Sequence, residues 1–532
     1  MTATGTGLAG WLGQTAVRQP EATALEVGDV RLSYAELDAL ADGVAGRLQQ
    51  VAGGVPHAVG LYAARTVAAY AGYLGAQRAG APVVPLHPDS PVARNQVICA
   101  AAGVDVLIGD RACPLAGLPM LDLSRPDWFD TLGRTVSASS QVAHGSDLAY
   151  ILFTSGSTGS PKGVPIRNRQ LLDYVSYCVR RYQIGAGSRL SQTFDLTFDP
   201  SVFDMATAWY GGAALVVPRA EDLLAPARFV AERAISHWFS VPSVITLAGR
   251  LRGLQPASMP GLRWSLFAGE QLTLDQARQW AVAAPDSVIE NLYGPTELTV
   301  TCLGYRLPAE QRDWPRTSNG TVPIGAAYPH LQSALGDGHG QLLANGAEAS
   351  EGELCVRGSQ RFEGYLDPAD NLHRFVRHSS SAGGAATEPP GPDDWYRTGD
   401  LVQYQAGVLV HLGRLDEQVK ISGRRVELGE IAAVLRRHRA VHEAVVITTA
   451  GRSGGAVLHA CYTGSRVDVA ELAEHLRRDL PTYMVPADIR YLSELPLNPN
   501  GKIDRIALRQ MVLATSSESG ATEYRSFAKL VN

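Results

Sequence analysis

Ten consecutive residues, Thr154 to Gly163, hold three glycines, five hydroxyl-bearing side chains and one lysine, Lys162. Small residues of this kind let backbone N–H groups, hydroxyls and a cation close around a phosphate chain. Ordinary NTPase phosphate loops place Gly directly before the lysine and Ser or Thr directly after it. Here Pro161 and Gly163 occupy those places. Four further segments carry groups suited to nucleotide chemistry. Asn291 to Glu297 combines an aromatic ring, a turn, a hydroxyl and a carboxylate, and Tyr396 to Asp400 sets a carboxylate after a tight turn. Gly413 to Glu427 is a polar turn region, and Asn498 to Arg505 presents the lone lysine Lys502.

These groups need a scaffold. The apolar run Leu148 to Phe153 reads as a strand feeding the glycine-rich loop. Thr66 to Ala79 reads as an amphipathic helix, and Ala81 to Pro85, Ala213 to Val217, Trp264 to Phe267 and Val408 to Leu412 read as strands. This alternation gives an α/β class. A large N-terminal domain of mixed sheets and helices is expected over 1–416, a small mobile α+β domain over 417–513 and a tail over 514–532. At 532 residues one core is too few. The run Ser379 to Asp394 reads as a surface insertion.

Hydrophobic residues make up 45% and charged residues 19%, with a net charge of −5, so nothing points to nucleic acid. No apolar run reaches a membrane span and no leader pattern opens the chain, so a cytoplasmic protein is expected. The six scattered cysteines read as buried reduced thiols. Gly5 to Gly10 spells a dinucleotide fingerprint without a preceding strand, and His438 with His442 reads as a surface helix rather than a metal site. Asn319 heads a glycosylation sequon that has no role in a cytoplasmic protein.

Taken in order from residue 15 to 512, the five motifs resemble the adenylation domains of nonribosomal peptide synthetases. These belong to the adenylate-forming superfamily that includes acyl-CoA ligases and luciferases. The resemblance implies that ATP and Mg²⁺ are used to turn a carboxylic acid into an acyl-adenylate. Thr154, Ser155, Gly156, Ser157, Thr158, Gly159 and Lys162 would grip pyrophosphate. Tyr293 would stack on adenine, with Gly269, Glu270, Asn291 and Gly294 beside the nucleotide, and Thr296 would touch the α-phosphate. Glu297 would hold the metal, Asp400 the ribose hydroxyls with help from Arg414, and Lys502 would bridge the two reacting anions. Lys502, Glu297, Thr154 and Thr296 are the expected catalytic group. The small domain would then rotate about Asp416 and bring Gly423 to the channel for a phosphopantetheine thiol.

Within the same resemblance, Asp199 stands where amino-acid-activating members pair the substrate ammonium. Pro200, Phe203, Ser240, Leu266, Ala268, Leu292, Val300 and Thr301, with Lys502, would complete the pocket. Apart from Lys502, which would meet the substrate carboxylate, this lining has no charge besides Asp199, so a small neutral amino acid is expected, alanine first, with proline, glycine and small β-amino acids behind it. The acceptor would be a separate carrier protein, docked through Arg424, Arg425, Arg436 and Arg437, and the enzyme a monomer or weak homodimer in secondary metabolism. An acyl-CoA ligase and an inactive scaffold are the rival readings; the helix-capping role is the rival for Asp199.

Overall fold

The structure is a computed structural model describing residues 7–125, 128–129, 146–156, 160–337, 341–343, 351–377, 389–416, 418–451, 455–496 and 503–516. Ser157, Thr158, Gly159, Lys502, the dinucleotide-like turn's first residues and most of the 379–394 run lie outside the described residues.

The chain forms two compact units. The first comprises Met1–Pro88, Ile98–Phe153 and Gly163–Leu415; the second gathers Asp89–Val97, Thr154–Lys162 and Asp416–Asn532. Two short stretches of the expected N-terminal domain therefore group with the C-terminal residues.

In the first unit a nine-stranded sheet has a parallel centre. Its neighbours run Arg189–Ser191, His237–Ser240, Trp264–Phe267 and Val288–Tyr293. A six-stranded sheet includes Val59–Tyr62, Val83–Leu86, Val106–Gly109, Leu148–Thr154 and Lys162–Arg167. Strands Val83–Leu86, Ala214–Val217 and Trp264–Phe267 are buried at every position, as parallel strands covered on both faces must be. One core cluster runs through both sheets, taking in Leu61 and Val83 of one and Leu215 and Leu266 of the other. A five-stranded sheet adds Glu351–Gly358, Trp395–Gln405 and Val408–Arg414.

The expected amphipathic helix is Val67–Arg78, capped by the Thr66 hydroxyl, which accepts from Ala69 N at 3.2 Å. It has no polar face: ten of its twelve residues are buried. Alanine and glycine permit this, and a Cβ on Gly75 would lie 2.7 Å from Val44 Cβ in the neighbouring helix Tyr34–Ala52.

The second unit holds the hairpin Gln418–Ile421 and Arg424–Glu427, a three-stranded sheet, and helices Leu428–Arg436, Val469–Asp479 and Arg505–Ser516. The helix into which His438 and His442 were expected to fall ends at Arg436; His442 lies on the strand Val441–Ala450 and His438 pairs with Glu471. All six cysteines are free and five are buried. Among the described residues no helix is long and apolar enough to cross a membrane.

Candidate functional site

The parallel strands of the nine-stranded sheet deliver the site at their carboxyl ends, where open α/β sheets place ligands. Val288–Tyr293 leads into Gly294, and a Cβ on Gly294 would sit 2.5 Å from Thr301 Cα and 2.6 Å from the Val300 carbonyl oxygen. Only glycine lets the chain return so closely upon itself.

Tyr293 is 6% exposed and its hydroxyl donates to Asp400 at 2.5 Å. Asp400 also receives His411 Nε2 at 3.0 Å and the Arg414 guanidinium at 3.1 Å. Burial, and then the Asp400 charge, push the Tyr293 hydroxyl far above its ordinary pKa, so it stays a donor. The structure thus brings together Tyr293, Asp400 and Arg414, and adds His411, which no sequence motif marked. Asn291 and Glu270 serve the scaffold as well: Asn291 donates to the carbonyls of Val322 and Pro323, and Glu270 accepts from Ser243 N.

Glu297 is fully buried in the short helical turn Thr296–Leu298, and the Tyr365 hydroxyl donates to it. Among the described residues no cluster of three metal-ligating side chains exists. A single buried carboxylate such as Glu297 is the kind of donor that Mg²⁺ takes together with substrate phosphates. The next residues are strained: Thr299 and Val300, both β-branched, have φ of +56° and +70°. Gln360 clamps them. Its side-chain amide donates to the carbonyls of Leu298 at 2.6 Å and Thr301 at 2.5 Å, its backbone carbonyl accepts the Thr299 hydroxyl at 2.7 Å, and its Oε1 meets His330 at 2.7 Å.

Asp199 precedes the helix Pro200–Gly211 at its N-cap position, yet its side chain makes no capping bond, which removes the capping reading. It is 5% exposed, and its charge raises the pKa of the fully buried Tyr150, whose hydroxyl lacks a hydrogen-bond partner. Burial is the larger cause of that shift. Phe203, Leu266, Ala268, Leu292 and Val300 share one core cluster, and Pro200 and Thr301 are buried.

Ser240 does not join them. Its hydroxyl accepts from Trp238 Nε1 at 2.8 Å, on the strand face that belongs to a different core. Phe239 faces that cluster instead, with its ring 4.9 Å from that of Phe203. Strand side chains alternate faces, so a one-residue slip in the reading exchanges a small hydroxyl for a large ring.

In the second unit the Ser155 hydroxyl donates to the Arg425 carbonyl at 2.9 Å, and Arg94 pairs with the buried Glu430 at 2.7 Å. Thr154 ends its strand and Lys162 is buried at the start of the next. Asp416 accepts from Gln418 N at 3.1 Å. Ser422 and Gly423, at φ +49° and +79°, form the two-residue turn of the hairpin. The four arginines expected to meet a carrier already have partners: Arg424 lies over Tyr483, Arg425 donates to Gln418, Arg436 pairs with Glu443 and Arg437 with Asp479.

Comparison with known proteins identifies the family. The model of the AMP-binding enzyme family matches residues 12–366, and that of the AMP-binding enzyme C-terminal domain matches residues 430–502. The chain is 32% identical, over 93% of its length, to tyrocidine synthase 3 of Brevibacillus parabrevis, of which it spans only 7%. It is 33% identical to the L-proline--[L-prolyl-carrier protein] ligase of Streptomyces coelicolor, over 90% of this chain and 92% of that one. Among solved structures, the Vibrio cholerae adenylation domain AlmE in complex with glycyl-adenosine-5'-phosphate matches with a TM-score of 0.79 and 27% identity, covering 97% of this chain and 99% of that one. The chain belongs to the AMP-binding enzyme family, with its C-terminal domain.

Proposed function

We propose that the protein uses ATP to activate a small neutral amino acid, alanine first, and transfers it to the phosphopantetheine thiol of a separate carrier protein. The observation that carries this reading is Asp199: a buried carboxylate, not used as a cap, beside an expected lining that is mostly apolar. A substrate ammonium placed beside it would be held by charge-assisted hydrogen bonds.

In the first step a carboxylate oxygen of the amino acid bonds to the α-phosphorus of ATP, and the bond to pyrophosphate breaks. Asp400, ordered by Tyr293, His411 and Arg414, accepts the ribose hydroxyls; Glu297, fixed by Tyr365, is the residue that would hold Mg²⁺. The metal, when bound, offsets the charge of the phosphates. Lys502 neutralises the two anions as they meet. In the second step the thiol sulfur bonds to the acyl carbon, AMP leaves and the thiol proton passes to solvent.

Phe203 and Phe239, in edge contact, narrow the pocket and support a small side chain, and the glycyl-adenylate bound in AlmE supports the same size class. Proline is the second reading, favoured by the resemblance to the prolyl-carrier protein ligase. The test is mass-spectrometric detection of thioester on a phosphopantetheinylated carrier protein, with ATP and alanine, glycine, proline or β-alanine. Loading with alanine above the others is expected; efficient loading of free CoA in place of the carrier overturns the carrier reading in favour of an acyl-CoA ligase.

A further inference from the structure

Once Phe239 replaces Ser240, Thr301 is the one polar side chain in the expected lining besides Asp199 and Lys502. Its hydroxyl lies between two buried tyrosines: Oγ1 is 2.9 Å from the Tyr174 hydroxyl and 2.8 Å from the Tyr328 hydroxyl. A threonine hydroxyl has one proton and two lone pairs, so two of its three hydrogen-bonding sites are taken. Tyr174 and Tyr328 are both under 2% exposed, and burial pushes both phenols far above their ordinary pKa, so neither ionises or yields to water. The backbone here is held as well. The Thr301 carbonyl accepts from Gln360, and Thr299 and Val300 before it are held in left-handed geometry.

We infer that Tyr174 and Tyr328 are specificity-determining positioning residues: by taking two of the three hydrogen-bonding sites of the Thr301 hydroxyl they leave it at most one to offer a substrate, and so favour amino acids whose side chains form no hydrogen bonds. This rests on the proposed amino-acid activation. Tyr174 also backs Phe203, with ring centroids 6.2 Å apart, so the same side chain fixes both the polarity and the depth of the pocket. A hydroxylated substrate side chain entering here would be buried without a full partner set, whereas its methyl isostere would lose nothing. An apolar pocket rejects the hydroxyl-bearing isostere by up to about 10²-fold.

The experiment is amino-acid-dependent ATP–pyrophosphate exchange with pairs that differ only by methyl against hydroxyl. These are 2-aminobutyrate and serine, valine and threonine, and 4-methylproline and 4-hydroxyproline. In the wild type the methyl member of whichever pair enters is expected to win kcat/KM by about 10- to 100-fold. In the double variant Tyr174→Phe/Tyr328→Phe the Thr301 hydroxyl is released, and the ratio is expected to move toward the hydroxyl member by about tenfold. A wild-type ratio within threefold overturns the inference. So does a folded double variant with an unmoved ratio, or a wild type that takes alanine, glycine or proline and no member of any pair, since size alone then selects. Should the double variant fail to fold, the wild-type ratio decides. Exchange with no amino acid at all would instead remove the proposed function itself.

Discussion

Replacing Asp400 with Asn changes charge while conserving shape. The carboxylate is 3% exposed and accepts from Tyr293, His411 and Arg414 at 2.5, 3.0 and 3.1 Å. An amide has one accepting oxygen, so it can face Arg414 and His411 or Tyr293, while the tyrosine hydroxyl can turn and accept from the amide nitrogen. The fold therefore survives, with a stability loss of about 1–3 kcal/mol from the guanidinium left without its counter-charge. Nucleotide binding loses more selectively. Hydrogen bonds to a charged group contribute about 1.5–3 kcal/mol and neutral ones about 0.5–1.5, so each ribose hydroxyl forfeits roughly 1–1.5 kcal/mol. One or two such bonds raise KM for ATP by about 5- to 150-fold. Pyrophosphate exchange at saturating amino acid, with ATP titrated, reads this directly beside a melting curve. An ATP KM within twofold of wild type, with the melting temperature lowered, would show that Asp400 serves the fold alone.

Three other outcomes follow from named contacts. Gln360→Ala removes the donor that holds the Thr299–Val300 turn, and is expected to cut kcat/KM for the amino acid by tenfold or more with KM for ATP little changed; Gln360→Glu, which cannot donate, should not rescue it, and an unchanged amino-acid KM would count against the clamp. His237 is buried between the Tyr182 carbonyl and Ser236, and burial lowers its pKa from 6.5 to about 4. The unfolded chain therefore binds the extra proton between pH 6.5 and 4, and stability is expected to fall by up to about 3 kcal/mol as pH drops through that window; urea unfolding of His237→Gln should show a flatter profile, and parallel profiles would refute the assignment. Lys502→Ala should slow adenylation by about 10²–10³-fold while transfer from preformed adenylate continues, and equal loss of both steps would remove the two-step role of Lys502.

The fully buried parallel strands were legible because continuous apolar runs between turn residues leave few other structures. The motif carboxylates were legible because ordered spacing survives in one dimension. Phe239 was not, since nothing in Trp238-Phe239-Ser240-Val241 says which alternate residues face which core. Gln360, His330, Tyr174 and Tyr328 were not either, because their partners lie 27 to 127 positions away. Positive φ at Thr299 and Val300 runs against β-branched preference and is imposed by tertiary contacts. The missing polar face of Val67–Arg78 has a similar origin: its alanines and glycines carry no helical periodicity to read.

The most direct measurement compares ATP–pyrophosphate exchange driven by alanine with that driven by propionate, in the wild type and in Asp199→Ala. The two acids share a carboxylate and differ in the ammonium that Asp199 would bind. The wild type should exchange with alanine about 10- to 150-fold faster in kcat/KM, the amount expected when a buried charged hydrogen bond is present or absent. Asp199→Ala should lose alanine-dependent exchange. Equal exchange with propionate in the wild type, or full alanine activity in Asp199→Ala, would contradict the assignment of an amino-acid-activating site.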